Sequence, residues 1–142
     1  MTTTITVKKL HPLAKIPEYG RKGDAAFDFF SCEDVTLLSG KRAVIHTGIA
    51  LEFPEDFCLI IKDRSGLSFT HGLTVLGGVF DSNYRGEYKI LLLNTSEISY
   101  DVKKGDKIAQ GILFQRPLVS FIEKDELSDS NRSSSGFGSS GR

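Results

Sequence analysis

The chain has 142 residues, 39% apolar and 25% charged, with 18 basic and 18 acidic residues in balance. That length suits one domain with enough core to fold without staples. A formal net charge of zero excludes an avid hold on duplex nucleic acid or on an anionic membrane, although a few local arginines could still hold a small polyanion. Along the chain, residues 4–7 read as a first strand, followed by strands at 27–30 and 35–38. Ser39-Gly40 marks a turn, and residues 43–53 read as one long strand that Pro54-Glu55-Asp56 breaks. A strand at 57–62 leads into one short helical turn at 65–71. Gly77-Gly78 then joins 73–76 to 79–80 as a hairpin. Further strands are expected at 88–93, 98–102, 108–114 and 119–122, separated by turn signals at 94–96, 104–106 and 116–117.

Many short strands with almost no helical periodicity predict an all-β fold, either a sandwich, a barrel or a jelly roll. The last stretch, residues 128–142, is dominated by Ser and Gly and has Phe137 as its one apolar residue. Such a segment cannot offset its own ordering entropy and is expected to be a flexible tail behind a 1–127 β domain. Cys32 and Cys58 lie in apolar stretches with no second Cys or His at zinc-ligand spacing. They read as buried free thiols, with a disulfide between them left open. The opening MTTTITVKKL has no apolar signal-type run, so the expected location is the cytoplasm.

Polar groups concentrate in two apolar contexts. In GGVFDSNYRGEY, residues 77–88, Asp81 closes a strand and could be a general base facing a pocket water. Asp-Ser-Asn is equally good turn chemistry. In KDRSGLSFTHG, residues 62–72, Arg64, Ser65 and Gly66 offer a guanidinium, a hydroxyl and backbone N–H groups, a plausible phosphate cradle or simply a solvated turn. His71 reads as structural, and His11 and His46 have no neighbours at ligand spacing. The tail GFGSSGR lacks the Lys and Ser/Thr of a P-loop, so a Walker-type site is excluded.

Taken together, these segments resemble the trimeric dUTP pyrophosphatase family. DAAFDFFS is similar to the family's first motif, with Asp28 at the acidic position and Ala26 where Gly is usual. DRSGLS is similar to the second, with Arg64, Ser65 and Gly66 matching and Asp63 in place of Pro. GGVFDSNYRGE resembles the third, matching at Asp81 and Tyr84, with Asn83 replacing an Asp. KGDKIAQGIL resembles the fourth at Gln110, and NRSSSGFGSSGR the fifth at Arg132, Phe137 and Gly138. The five occur in the family's order over nearly the whole chain.

The resemblance implies a β jelly roll (β-clip type) forming a homotrimer, each site built from three subunits. It implies hydrolysis of dUTP to dUMP and pyrophosphate, which lowers dUTP and supplies dUMP for thymidylate synthesis. Asp81 is implied as the base for the attacking water. Arg64, Ser65, Gly66 and Gln110 are implied to hold phosphates, with Arg132 on the γ-phosphate. One Mg2+ is implied, touched by Asp28 through water. Tyr84 is implied to pack on the deoxyribose and exclude a 2′-hydroxyl. The backbone of Val75, Gly78, Val79 and Phe80, with Lys89 near, is implied to read uracil. Phe137, with Gly138, is implied to stack on the base as part of a 128–142 lid. The alternatives are a dCTP deaminase of the same fold, expected to carry a catalytic Glu and a D-P-G-F-type third motif, and a non-enzymatic jelly-roll interaction protein.

Overall fold

The structure is a computed structural model that describes residues 2–131, 133 and 134. The chain runs β1 (Thr6–Lys9), β2 (Glu18–Tyr19), β3 (Phe27–Phe30), β4 (Val35–Leu37), β5 (Arg42–Ile45), β6 (Ile49–Glu52) and β7 (Phe57–Lys62). It continues with α1 (Ser65–His71), β8 (Leu73–Val75), β9 (Val79–Asp81), β10 (Ile90–Asn94), β11 (Tyr100–Val102) and β12 (Lys107–Gln115). The all-β expectation holds, and the short helix falls at residues 65–71 as read.

β12 is the longest strand and organises the largest sheet, ordered β2-β3-β12-β7-β9. Its centre is Gly111, where a Cβ would stand 2.6 Å from a Phe29 ring carbon and 3.0 Å from one of Phe27. Only glycine lets those two rings lie flat across the strand. Smaller sheets pair β1 with β6, β4 with β11, and β10 with β5 and β8. Phe29, Ile45, Leu59 and Ile90 are enclosed between them, and each such side chain contributes roughly 1.5–3 kcal/mol by leaving water. The buried polar Asn94 is fully satisfied: its amide donates to the carbonyls of Leu37 and Ile98, and its oxygen accepts from the backbone N–H and hydroxyl of Ser96.

Several expectations are corrected. Residues 43–53 form two strands in different sheets, β5 on β10 and β6 on β1. The break is Gly48, at φ 68°, where a Cβ would come within 2.7 Å of the His11 Cβ and 3.0 Å of the Ala14 Cβ. The expected hairpin around Gly77-Gly78 is instead a switch between sheets: β8 pairs with β10, and β9 pairs with β7. Both glycines take positive φ, and the Gly78 carbonyl accepts the Ile61 N–H at 2.7 Å. Residues 119–122 are not a strand; Val119, Phe121 and Ile122 are exposed, with no partner strand among the described residues. β2, only two residues at a sheet edge, carried no apolar signal. Both cysteines are free thiols, Cys32 buried and Cys58 half-buried, so the disulfide alternative falls.

Candidate active site

The five-stranded sheet sets the functional side chains by register. Across β3 and β12, Asp28 lies opposite Gln110, which in turn lies opposite Lys62 on β7. Immediately after Lys62 the chain leaves the sheet through Asp63 and Arg64 into α1. Beside this exit lies a cleft of about 350 Å³, with Asp24, Asp28, Arg64, Ser65, Gly66 and Gln110 on its walls. Five residues read from the second, first and fourth motifs are thus brought together.

The cleft is held by paired charges. Asp28 is buried, with one carboxylate oxygen 3.0 Å from the Arg64 Nε and the other 2.7 Å from the Lys107 Nζ. Gln110 donates its amide to the Asp63 carbonyl at 2.8 Å. The Asp63 side chain accepts from the Ser68 hydroxyl, the Thr74 hydroxyl and the Val75 N–H, at 3.2, 2.9 and 2.6 Å. One carboxylate therefore ties α1 to β8. α1 begins at an Arg64 cap with no side-chain hydrogen bond and ends at Gly72 in the left-handed region. Its first-turn N–H groups keep capacity for an incoming oxygen.

Asp81 sits elsewhere. It closes β9 opposite Cys58, near the start of β7, in a separate cleft with Glu55, Ser82, Asn83 and Arg116. Between Cys58 and Lys62 the strand advances about 13 Å at its usual rise per residue. In one copy of the chain, Asp81 and the Arg64 cleft stand at opposite ends of β7. After Asp81 the chain turns tightly: the Tyr84 N–H donates to the Asp81 carbonyl at 3.1 Å, and Arg85 donates to the carbonyls of Ser82 and Tyr84. Tyr84 is 40% exposed. Its ring rests on a stack in which Phe80 and Tyr88 are 4.4 Å apart and Phe29 lies beyond Tyr88. Burial pushes the Tyr88 phenol up to about 12, so it stays neutral and serves as a packing surface.

The backbone around β8 and β9 is partly committed. The Val75 N–H goes to Asp63, the Gly78 carbonyl to Ile61, and the Lys89 N–H to the Glu87 carbonyl. Val79 is exposed, while the Phe80 ring belongs to the aromatic stack. Arg132, Phe137 and Gly138 lie outside the described residues.

Four residues in or beside the clefts escaped the sequence reading. Lys107 lay between the 104–106 turn and the strand expected at 108–114, inside the fourth motif but with no role read for it. It faces Asp28 because a register shift between Lys107 and Ala109 puts Lys107 and Gln110 on the same face. Asp63 stood only as a departure from Pro, although an acidic residue just before a helix could have signalled an anchor. Glu87 and His46, 2.9 Å apart, are distant in sequence and carried no spacing signal.

The all-β scaffold thus presents a paired-charge cleft at one end of β7 and, at the other, a carboxylate beside an aromatic stack. Family comparison makes this specific: the chain matches the dUTPase model over residues 13–141 and belongs to that family. It is 44% identical over 140 residues to the deoxyuridine 5′-triphosphate nucleotidohydrolase of Nautilia profundicola, covering 97% of this chain and 99% of that one. It is 43% identical over 143 residues to the Thermobifida fusca enzyme of the same name, covering 99% and 80%. Among solved structures, a mutant dUTPase of Staphylococcus bacteriophage 80alpha with dUpNHpp superposes with a TM-score of 0.93 at 31% identity, covering 99% of this chain and 100% of that one. A mutant dUTPase of phage phi11 of S. aureus, described with a coordinated structural Mg(II) ion, gives 0.82 at 26% identity, covering 89% and 99%.

Proposed function

We propose that this chain hydrolyses dUTP to dUMP and pyrophosphate in sites that three copies of the chain build together, with Asp81 activating the attacking water. The activity is supported by family membership and by near-full-length relatives named for it. The shared site is carried by one observation: Asp81 and the Arg64 cleft occupy opposite ends of β7, too far apart to meet around one α-phosphorus. A second copy that brings its Asp81 edge to this cleft resolves the separation. The exposed Leu118, Val119, Phe121, Ile122 and Leu127 are suited to burial against a neighbouring copy, since an apolar series of this kind is rarely left in water. The third copy contributes the 128–142 lid, with Arg132 on the γ-phosphate and Phe137 and Gly138 over the base.

In the reaction, the Asp81 carboxylate takes a proton from water as the water oxygen bonds to the α-phosphorus. The bond from that phosphorus to the bridging oxygen breaks and pyrophosphate leaves. A positioned base accounts for roughly 10²–10⁴ of the rate. Arg64 trades its Asp28 partner for phosphate oxygens, while Lys107 keeps the buried Asp28 charge compensated. Ser65, Gly66 and Gln110 complete the phosphate hold. Tyr84 walls the sugar at the 2′ position, and the backbone from Val75 to Phe80, with Lys89 beside it, reads the uracil edge.

The donors in the cleft fit Mg2+. Asp24 and Asp28 supply hard oxygens, and a Cβ at Gly20 would stand 3.2 Å from Asp24 Oδ2 and 3.8 Å from Asp28 Oδ2. Mg2+ uses few protein ligands and keeps its waters, so Asp28 would hold it through water. Held there, it would supply positive charge against the triphosphate. No described helix is long and apolar enough to cross a membrane, and we assign the enzyme to the cytoplasm, where deoxynucleotides are interconverted.

The test is complementation. Chains carrying Asp81→Asn and chains carrying Arg64→Ala are each inactive alone as trimers. Unfolded together and refolded, they regain pyrophosphate release, because a mixed trimer contains a site with both residues intact. Native mass spectrometry should find three chains. Failure to regain activity in verified mixed trimers, or an active monomer, would overturn the shared site.

A further inference from the structure

Outside the two clefts, the densest group of titratable side chains lies at the break between β5 and β6. His11, Cys32, Glu33, His46 and Glu87 line a cavity there of about 340 Å³. Glu87 directly follows the Tyr84-Arg85-Gly86 turn, and its carboxylate is doubly engaged. One oxygen is 2.9 Å from the His46 Nδ1, and the other accepts the Gly48 N–H at 2.9 Å. The His46 N–H is itself held by the Glu33 carboxylate at 2.8 Å. The next residue repeats the brace: Tyr88 donates its N–H to the Ile49 carbonyl, and its own carbonyl accepts the Thr47 hydroxyl at 2.6 Å. Residues 87–88 are thus bolted to 46–49.

The backbone carbonyl of Glu87 is what the bolt holds still. The Tyr84 hydroxyl donates to it at 3.0 Å. Gly86 leaves the room for that contact, since a Cβ there would collide with the Tyr84 ring. We propose that Glu87, fixed by His46 and by the Gly48 N–H, is a positioning residue that sets the Tyr84 ring and thereby the discrimination between deoxyribose and ribose. The inference rests on the reading of Tyr84 as the wall against the 2′-hydroxyl. It differs from that reading in saying where the wall gets its rigidity. A ring held only by stacking can slide on Phe80 and Tyr88, and a slide admits one extra oxygen. The hydrogen bond to a braced carbonyl removes that freedom. Gly48 is required twice over, for its positive φ and because a Cβ there would stand 2.7 Å from the His11 Cβ.

The test compares dUTP with UTP. For the wild type, Glu87→Ala, Glu87→Gln, His46→Ala and Tyr84→Ala, kcat/KM is measured for both nucleotides and the ratio is formed. Glu87→Ala should lower the dUTP-to-UTP ratio about tenfold, the usual effect of losing a charge-assisted bond, mainly by raising activity on UTP. Glu87→Gln keeps an acceptor for the Gly48 N–H and should restore most of the ratio. His46 is partly exposed, with 43% of its side chain in solvent, so His46→Ala keeps the probe usable should Glu87→Ala fail to fold. It should lower the ratio about threefold. A merely structural role would lower turnover on both nucleotides equally, and an unchanged ratio in both Glu87→Ala and His46→Ala overturns the proposal. If Tyr84→Ala also leaves the ratio unchanged, the sugar-wall reading is the one that fails. If Tyr84→Ala relaxes the ratio and the other two do not, only the positioning role is lost.

Discussion

The two ends of β7 are built on opposite plans. At its C-terminal end, Asp28, Arg64 and Lys107 form a half-buried set of charges that satisfy one another. At its other end, Asp81 is exposed, on a turn held by bonds between near neighbours in sequence and by an aromatic stack. The first end is poised to exchange partners: bringing in a polyphosphate replaces one anion with another around Arg64. The second end has nothing to exchange. It supplies a carboxylate and a ring at fixed positions. With the roles proposed for the two ends, the difference makes binding and chemistry separable in this chain, and substitutions can show how far.

The largest effect belongs to Asp81. Asp81→Asn keeps size and hydrogen-bonding reach but cannot take a proton. Steady-state release of pyrophosphate should fall by at least about 10², while titration with a non-hydrolysable dUTP analogue gives a Kd within a few-fold of wild type. Near-normal turnover would remove Asp81 from the mechanism. A large loss of affinity would break the separation of the two ends.

Next is Asp63, whose carboxylate anchors α1 and β8. Asp63→Ala leaves the half-buried Val75 N–H and Thr74 hydroxyl without that acceptor; a fully buried donor left unmet costs about 1–3 kcal/mol, and the loss here falls toward the lower end. The thermal midpoint should drop by several degrees. KM for dUTP should rise while kcat changes little, because α1 carries Ser65 and Gly66 and Asp81 does not depend on it. An unchanged midpoint would mean that the anchor is not needed. A fall in kcat alone would tie the two ends together.

Much of this could be read from the sequence, for a physical reason. Apolar runs such as Phe27–Phe30 and Phe57–Lys62 are decided by local pattern, and both appear where expected. The Arg64-Ser65-Gly66 loop and Asp81 stood out because polar groups interrupted apolar strands. What could not be read depended on partners far along the chain. The 43–53 run pauses only at His46-Thr47-Gly48, and it is the positive φ of Gly48 with the approach of His11 and Ala14 that makes this a break. Gly77-Gly78 has hairpin chemistry, yet the strands on either side find better partners in β10 and β7. Residues 119–122 have strand composition but no partner strand among the described residues. Lys107 reaches Asp28 through a bulge, which no periodicity announces. The separation of Asp81 from Arg64 is likewise a matter of register.

The smallest effect concerns acid, and it sharpens the contrast on the Asp81 side, where the braces carry charge too. Burial raises the Glu87 carboxyl. The hydrogen bonds from His46 and the Gly48 N–H, with the charges of His46 and Lys89, outweigh burial and leave it below its ordinary 4.5. The neighbouring Cys32 thiol is pushed up by burial and by Glu33 and Glu87, so it remains protonated and adds no charge near neutrality. A carboxyl whose folded pKa is depressed stabilises the fold fully above its unfolded value, and that contribution is lost as pH falls through the folded one. Glu87→Gln has no such charge to lose. The stability gap between wild type and Glu87→Gln should therefore be constant from pH 7 down to about pH 5 and narrow below about pH 4.5, as read from urea midpoints at each pH. A gap that stays constant down to pH 3 would mean that the Glu87 charge contributes nothing to the brace. The Tyr84 ring would then depend on the backbone bonds of residues 87–88 alone.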